Sequence, residues 1–208
     1  GMENDANAAA LGEWRFGAGQ GARTMVFVTV STGIGGGIVA DGTLFHGRRG
    51  LAGEIGHMAV TDHSDRCFCG AVGCFEAVAS GTALGRRATA RTTPGDGSLL
   101  RRLSGDRDVT ARHVVEAARR GDGLATELIE AEGRWLGTGF TSLLHLFSPD
   151  LIVMGGGLAN AFDLLAPQIG STIRERAMAA YRDVPVVAAS LGDRAGLIGA
   201  ASLVLAPD

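Results

Sequence analysis

An α/β fold is predicted by three features of this 208-residue sequence. Its 33 glycines stand against 5 prolines, its β-branched runs are short and bounded by glycine, and strands cluster early, helices fill the middle and a strand–helix unit returns near the end. The chain is 46% hydrophobic with a net charge of -3, enough apolar surface for a sizeable core and too little charge for disorder.

Taken in order, "NDANAAALGEW" predicts an alanine-rich helix whose free N–H groups Asn4 or Asp5 can cap. "TMVFVTV" is short and β-branched, the pattern of a buried strand. "STGIGGGIVADGTLFHG" reads as a glycine loop, a strand, a tight turn at "ADG" and a returning strand, and "LAGEIGHMAV" approaches a further strand. From "GCFEAVASGTALGRRATA" the pattern turns helical, broken near "TTPGDGS" and "RRGDG", with a long helix from Leu124 to about Phe147. A strand–loop–helix unit, "PDLIVMGGGLANAFDLLAPQI", then precedes "VPVVAAS" and a closing helix over about 194–206. No internal repeat or linker divides residues 1–208, which are expected to form one unit.

Composition excludes several functions. All 19 basic residues are arginine, scattered and outnumbered by 22 acids, so nothing in the charge points to nucleic acid. The absence of lysine excludes a G-x-x-x-x-G-K-[ST] phosphate loop and any Schiff-base enzyme. No apolar run reaches membrane-spanning length and no basic, apolar leader opens the sequence, so a cytoplasmic protein with no membrane partner is expected. In a reducing compartment its three cysteines point to metal or free thiols rather than disulfides.

The strongest chemical signal is His57 with Cys67, Cys69 and Cys74 in "HMAVTDHSDRCFCGAVGCFE". Three thiolates and one imidazole suit a closed, tetrahedral, structural zinc site, and Gly70 and Gly73 let the loop turn tightly around an ion. His63 is an alternative fourth ligand, poorer because it lies so near Cys67. A second signal is "STGIGGG", whose backbone N–H groups and Thr32 hydroxyl suit a phosphate; it fails the G-x-G-x-x-G pattern at Ile38, and taken alone it is better explained as a hairpin that needs glycine for its turn. "GGGLAN" after "LIVM" sits where an α/β sheet offers a ligand crevice, or where a helix packs closely on the sheet.

The succession "ENDANAAALGE", "STGIGGGIVADG", "GLAGEIGHM", "CFCGAVGCFE", "LIVMGGGLA" and "AGLIGAASL" closely resembles the ROK family of bacterial sugar kinases and sugar-responsive repressors, its glucokinase-like members in particular. The resemblance implies an actin-like, ribonuclease-H-like ATPase fold with two lobes around a cleft, of which this chain resembles the second. It implies that Asp5 is the general base, that Asn4, Glu54, His57 and Glu76 hold sugar hydroxyls, that Thr32 and Gly33 face the phosphates of ATP (with Mg2+), and that Gly155, Gly156 and Gly157 lie by the adenosine. A carboxylate must orient a sugar hydroxyl and take its proton as it attacks the γ-phosphorus, which suits Asp5. His57, with one ring nitrogen on zinc, would tie the sugar pocket to the metal loop spanning residues 57–76. Family members carry a first lobe with a D-x-G-G-T phosphate loop ahead of the Asn-Asp motif, and this sequence shows no such segment. The expectation is therefore an ATP-dependent hexokinase lobe, glucose its most natural substrate, weak or inactive alone and assembling as a homo-oligomer, a dimer first of all. A fragment of a sugar-sensing ROK regulator and a non-catalytic sugar-binding remnant are the alternatives.

Overall fold

The computed structural model describes residues 4–62 and 65–205. The opening helix α1 spans Asp5–Phe16, and Asn4 caps it: its Oδ1 accepts the Ala6 N–H at 2.8 Å, as the Asn-Asp start predicts. The apolar run after it becomes β1 (Met25–Val30), followed by β2 (Ile34–Ala40) and the short β3 (Thr43–Leu44). Further along come β4 (Leu151–Gly155) and β5 (Val186–Ala188). The sheet has the order β3-β2-β1-β4-β5, with β1 antiparallel to β2 and parallel to β4. Antiparallel strands on one side of β1 and parallel strands on the other make the ribonuclease-H-like arrangement that the family resemblance implies.

Side chains of β1 alternate between the two faces, as a strand period of 2 requires. Val26, Val28 and Val30 enter the larger core with Ile38, Ile152, Met154, Phe75, Leu84, Leu136 and Phe140. That core packs the sheet against α2 (Phe75–Ala79), α3 (Gly81–Ala90), α4 (Leu99–Ser104), α5 (Ala111–Arg119), α6 (Gly123–Phe147) and α7 (Phe162–Arg176). Met25 and Phe27 face the other way, joining Ala10, Val39 and Val153 beneath α1. α8 (Ala195–Leu205) crosses α1 in backbone contact: a Cβ on Gly12 would stand 2.4 Å from the Ala195 carbonyl oxygen, and one on Gly199 only 1.6 Å from that of Ala8. Within β2, a Cβ on Gly37 would meet Ala10 Cβ at 2.5 Å and one on Gly36 would meet Ile55 Cδ1 at 2.5 Å. These glycines let covering elements lie directly on both faces of one strand.

The strand expected at "LAGEIGHMAV" does not form. Ile55–His57 make a single 3-10 turn, and only Ala59 pairs, in an isolated bridge with Cys74. β3 pairs the outer edge of β2 only at Val39 and Ala40, and the arriving chain packs Ile55 onto the face of the strand at Gly36 instead of extending the ladder. Gly53 makes that passage possible at φ 96, where a Cβ would lie 2.5 Å from the Gly36 carbonyl oxygen. Among the described residues no helix is long and apolar enough to cross a membrane.

Candidate functional site

Among the described residues, 54–62 and 65–74 run without a regular strand from the 3-10 turn to the start of α2, and all four expected metal ligands lie on them. The ligand atoms of His57, Cys67, Cys69 and Cys74 fall within 4.8 Å of one another. Cys67 Sγ is 3.6 Å from His57 Nδ1, and Cys69 Sγ is 3.7 Å from Cys74 Sγ. A tetrahedral zinc ion with bonds of about 2.3 Å to sulfur and about 2.1 Å to nitrogen separates two sulfurs by about 3.8 Å and a sulfur from a nitrogen by about 3.6 Å. The donor set and its spacing therefore fit that ion. Gly70 and Gly73 turn the loop at φ 92 and 77, and a Cβ on Gly73 would overlap the Thr61 carbonyl oxygen at 1.8 Å. The thiols differ sharply. The Ala71 N–H, with help from Cys67, holds the exposed Cys69 below the usual thiol range, whereas burial pushes Cys74 up to about 12. His63 lies outside the described residues.

The expected sugar-side carboxylates border this cluster. Glu54 Oε2 lies 4.0 Å from His57 Nε2, the ring nitrogen that faces away from Cys67. Glu76, in the first turn of α2, has Oε1 at 4.0 Å from Cys67 Sγ, while its Oε2 accepts the Ile34 N–H at 2.9 Å. Gly33 completes that approach, since a Cβ there would stand 2.3 Å from Glu76 Oε2. Asn4 and Asp5 both turn a side-chain oxygen to the Ala6 N–H at the exposed start of α1, and Ala6 in turn packs near Gly35, a Cβ there lying 3.6 Å from its own. Glu54, His57 and Glu76 thus lie together by the cysteine cluster, while Asn4 and Asp5 stand at the head of α1, the helix that packs on the opposite face of β2 at Gly35 and Gly37.

On the other side of the loop between β1 and β2 opens a cleft of about 1120 Å³, at the upper end of the range for cofactor and small-molecule sites. Ser31 and Thr32, after β1, and Gly157, after β4, line its floor, placing it at the C-terminal ends of two adjacent parallel strands. Of the three glycines in "GGG" only Gly157 lines it. Gly155 packs under Phe27, and Gly156, at φ 82, fits closely against the Val30 carbonyl oxygen. Gly33 likewise faces Glu76 rather than the cleft, so packing and ligand access divide the two glycine runs between them.

The cleft's far wall was not anticipated from sequence. It carries Arg86, Arg107, Arg112 and His113 against the single acid Asp108, a surplus of positive charge that suits a polyanion. Arg86 is engaged by Asp65 at 2.6 Å. His113 Nδ1 accepts the Thr110 N–H at 3.1 Å, and burial, then the nearby Arg107, pull its pKa below the usual imidazole value, so the ring that faces the cleft is neutral at pH 7. Two buried acids were missed as well. Glu13 accepts from the N–H groups of Ala18, Ser190 and Leu191 at 2.8, 3.1 and 2.7 Å, clamping the end of α1 to the turn before α8. Glu132 on α6 is wholly buried against Arg87 of α3.

Comparison with known proteins matches residues 1–206 to the model of the ROK family. The chain is 40% identical over 213 residues to a glucokinase of Streptomyces coelicolor, covering all of this chain and 67% of that one. It is 39% identical over 202 residues to the DNA-binding transcriptional dual regulator NagC of Escherichia coli, covering 97% of this chain and 48% of that one. Among solved structures it superposes on the ROK family glucokinase of Streptomyces griseus in complex with glucose and AMPPNP with a TM-score of 0.86 at 39% identity, over 97% of this chain and 67% of the other. The chain thus spans between about half and two thirds of the length of these relatives.

Proposed function

The chain belongs to the ROK family, and we propose on that premise that it is the sugar-binding lobe of an ATP-dependent hexokinase, acting on glucose. One observation carries the reading: a single loop, residues 31–34, has the Glu76 carboxylate on one side and the nucleotide-sized cleft on the other. Phosphoryl acceptor and donor would meet across it. Similarity to glucokinases over the whole chain supports the same assignment.

In this reading Asn4, Glu54, His57 and Glu76 hold hexose hydroxyls. Carboxylates discriminate sugars because a missing or inverted hydroxyl leaves a polar group unpaired. Asp5, exposed at the head of α1, orients the attacking hydroxyl and takes its proton. Thr32, at the mouth of the cleft, faces the phosphates of ATP, which carries Mg2+; Gly33 sets the loop against Glu76, and Gly155–157 bring the chain past the adenosine. Zinc, held by His57, Cys67, Cys69 and Cys74, supplies structure alone, since four protein ligands leave no position for a reacting water. It would fix the His57 ring and, through it, the sugar-facing side of the loop.

Glu54 is 56% exposed, so hydroxyl–carboxylate bonds compete with water and contribute about 1 kcal/mol each, which sets glucose binding near the millimolar range. The test is isothermal titration with glucose together with radiolabelled ATP turnover on glucose, mannose, N-acetylglucosamine and N-acetylmannosamine. The expected result is millimolar glucose binding and slow transfer, well under the typical enzyme rate of about 10 per second, with Asp5→Asn removing transfer and sparing binding. Failure to bind glucose at tens of millimolar, or transfer indifferent to Asp5→Asn, overturns the reading. A regulator's sugar-sensing lobe is the second reading, favoured by the 39% identity to an N-acetylglucosamine repressor of Escherichia coli. It calls for sugar binding with no transfer at all.

A further inference from the structure

We propose that Cys69 and Cys74 form a peroxide-sensitive modification site, in which a disulfide between them expels the ion from the four-ligand cluster and loosens the hexose-facing carboxylates. The inference rests on the zinc reading above.

The three thiols are not equivalent in access. Cys67 and Cys74 are 6% and 1% exposed, while Cys69 sits on the outside of the loop, the one ligand an oxidant in solution reaches directly. The Cys74 sulfur lies 3.7 Å from it, against about 2.05 Å in a disulfide, so closing the bond needs a displacement of under 2 Å. The chain between them can supply it. Residues 70–72 are exposed and a Cβ on Gly70 would meet nothing within 4 Å, so the Cys69 end of the segment has room to move, whereas Gly73 is packed against Thr61 and Cys74 is anchored as the N-cap of α2. Cys67 is the poorer partner, because its sulfur is also engaged by His57 Nδ1 at 3.6 Å and Glu76 Oε1 at 4.0 Å.

The chemistry balances with a hydroperoxide as oxidant. The Cys69 sulfur attacks one peroxide oxygen, the O–O bond breaks, and a sulfenic acid forms as hydroxide leaves and takes up a proton to become water. The Cys74 sulfur then attacks the Cys69 sulfur, the S–S bond forms, and the sulfenic oxygen leaves as a second water. Two electrons pass from the two sulfurs to the peroxide. Only His57 and Cys67 then remain as ligands, too few to retain zinc in a tetrahedral site. Their neighbours are the sugar-side groups: Glu54 stands 4.0 Å from His57 and Glu76 4.0 Å from Cys67. Loss of the ion unfixes both, and loss of a partner that orients a ligand shell characteristically costs about tenfold or more in affinity.

The experiment uses the full chain loaded with one equivalent of zinc and treated with a small excess of hydrogen peroxide. Released zinc is read with a chromogenic chelator, the covalent change by mass spectrometry with fragmentation of the peptide from Cys67 to Arg86, and glucose affinity by titration. The expected result is one zinc released per 2 Da lost, a bond mapped to Cys69 and Cys74, a glucose dissociation constant raised about tenfold, and recovery of all three on adding dithiothreitol and zinc. Brief alkylation of the zinc-loaded chain should mark Cys69 first. Zinc released with no disulfide, a bond mapped to Cys67, or faster alkylation of a buried cysteine overturns the proposal while leaving the zinc reading intact. A chain that takes up no zinc sinks both. Should glucose binding fail alone, zinc release and the mapped bond still decide, since they do not depend on sugar.

Discussion

Glu132 provides the sharpest quantitative test of how this fold handles charge. The carboxyl is fully buried on α6; one oxygen meets the Arg87 guanidinium and the other, Oε1, has no hydrogen-bond partner. Burial pushes its pKa from 4.5 up to about 7, against the downward pull of Arg87. At about 1.4 kcal/mol per pKa unit, ionised Glu132 costs the fold on the order of 3 kcal/mol relative to the neutral acid. Because the folded value is raised, the stability is present in full below about 4.5 and is lost as pH rises through about 7. Between pH 5 and pH 8 the change attributable to this one group is on the order of 2 to 3 kcal/mol. Glu132→Gln replaces the neutral acid by a neutral amide of the same shape and removes the titration. Urea unfolding of both proteins at pH 5 and pH 8, at constant free zinc, isolates the effect, since every other titrating group cancels in the difference. The wild type should lose roughly 2 to 3 kcal/mol more than the variant on going to pH 8. Pairs of curves differing by under about 0.5 kcal/mol, or a variant that loses more than the wild type, would show that Arg87 keeps Glu132 ionised throughout and that the burial argument fails.

Three further outcomes are expected. Glu13→Gln turns one of two oxygens that accept from three N–H groups into a donor facing them, and should lower the unfolding free energy by about 2–4 kcal/mol; a change under about 1 kcal/mol in urea unfolding refutes the clamp. Gly33→Ala places a methyl group 2.3 Å from Glu76 Oε2, so it should break the bond to Ile34, cost about 1–3 kcal/mol and weaken glucose binding, with unchanged titration and unfolding curves as the contrary result. Leu197 and Leu203 of α8 are 74% and 43% exposed, and a homodimer that covers them should appear by light scattering at tens of micromolar and be lost in Leu197→Glu; a monomer at that concentration rejects it.

Much of this protein is written in short stretches of sequence. The Asn4 cap, the β-branched run of β1, the long α6 and the ligands His57, Cys67, Cys69 and Cys74 are legible because each depends on residues within a few turns or one loop of one another. The same local logic failed at "LAGEIGHMAV", whose strand-like pattern cannot reveal that Ile55 packs on the face of β2 at Gly36. It also could not divide the glycines: Gly157 opens onto the cleft while Gly155 and Gly33 accept Phe27 and the Glu76 carboxylate, contacts made by residues far along the chain. Glu13 meets Ser190 across 177 positions, and Glu132 meets Arg87 across 45, so nothing near either acid distinguishes it from a solvated surface charge. The sequence by itself determined which elements form and which ligands a metal would find, because those rest on propensity and spacing. Only the tertiary structure decided which charges lose their water and which glycines meet a ligand, because desolvation and close approach depend on whatever distant segment the fold lays against them.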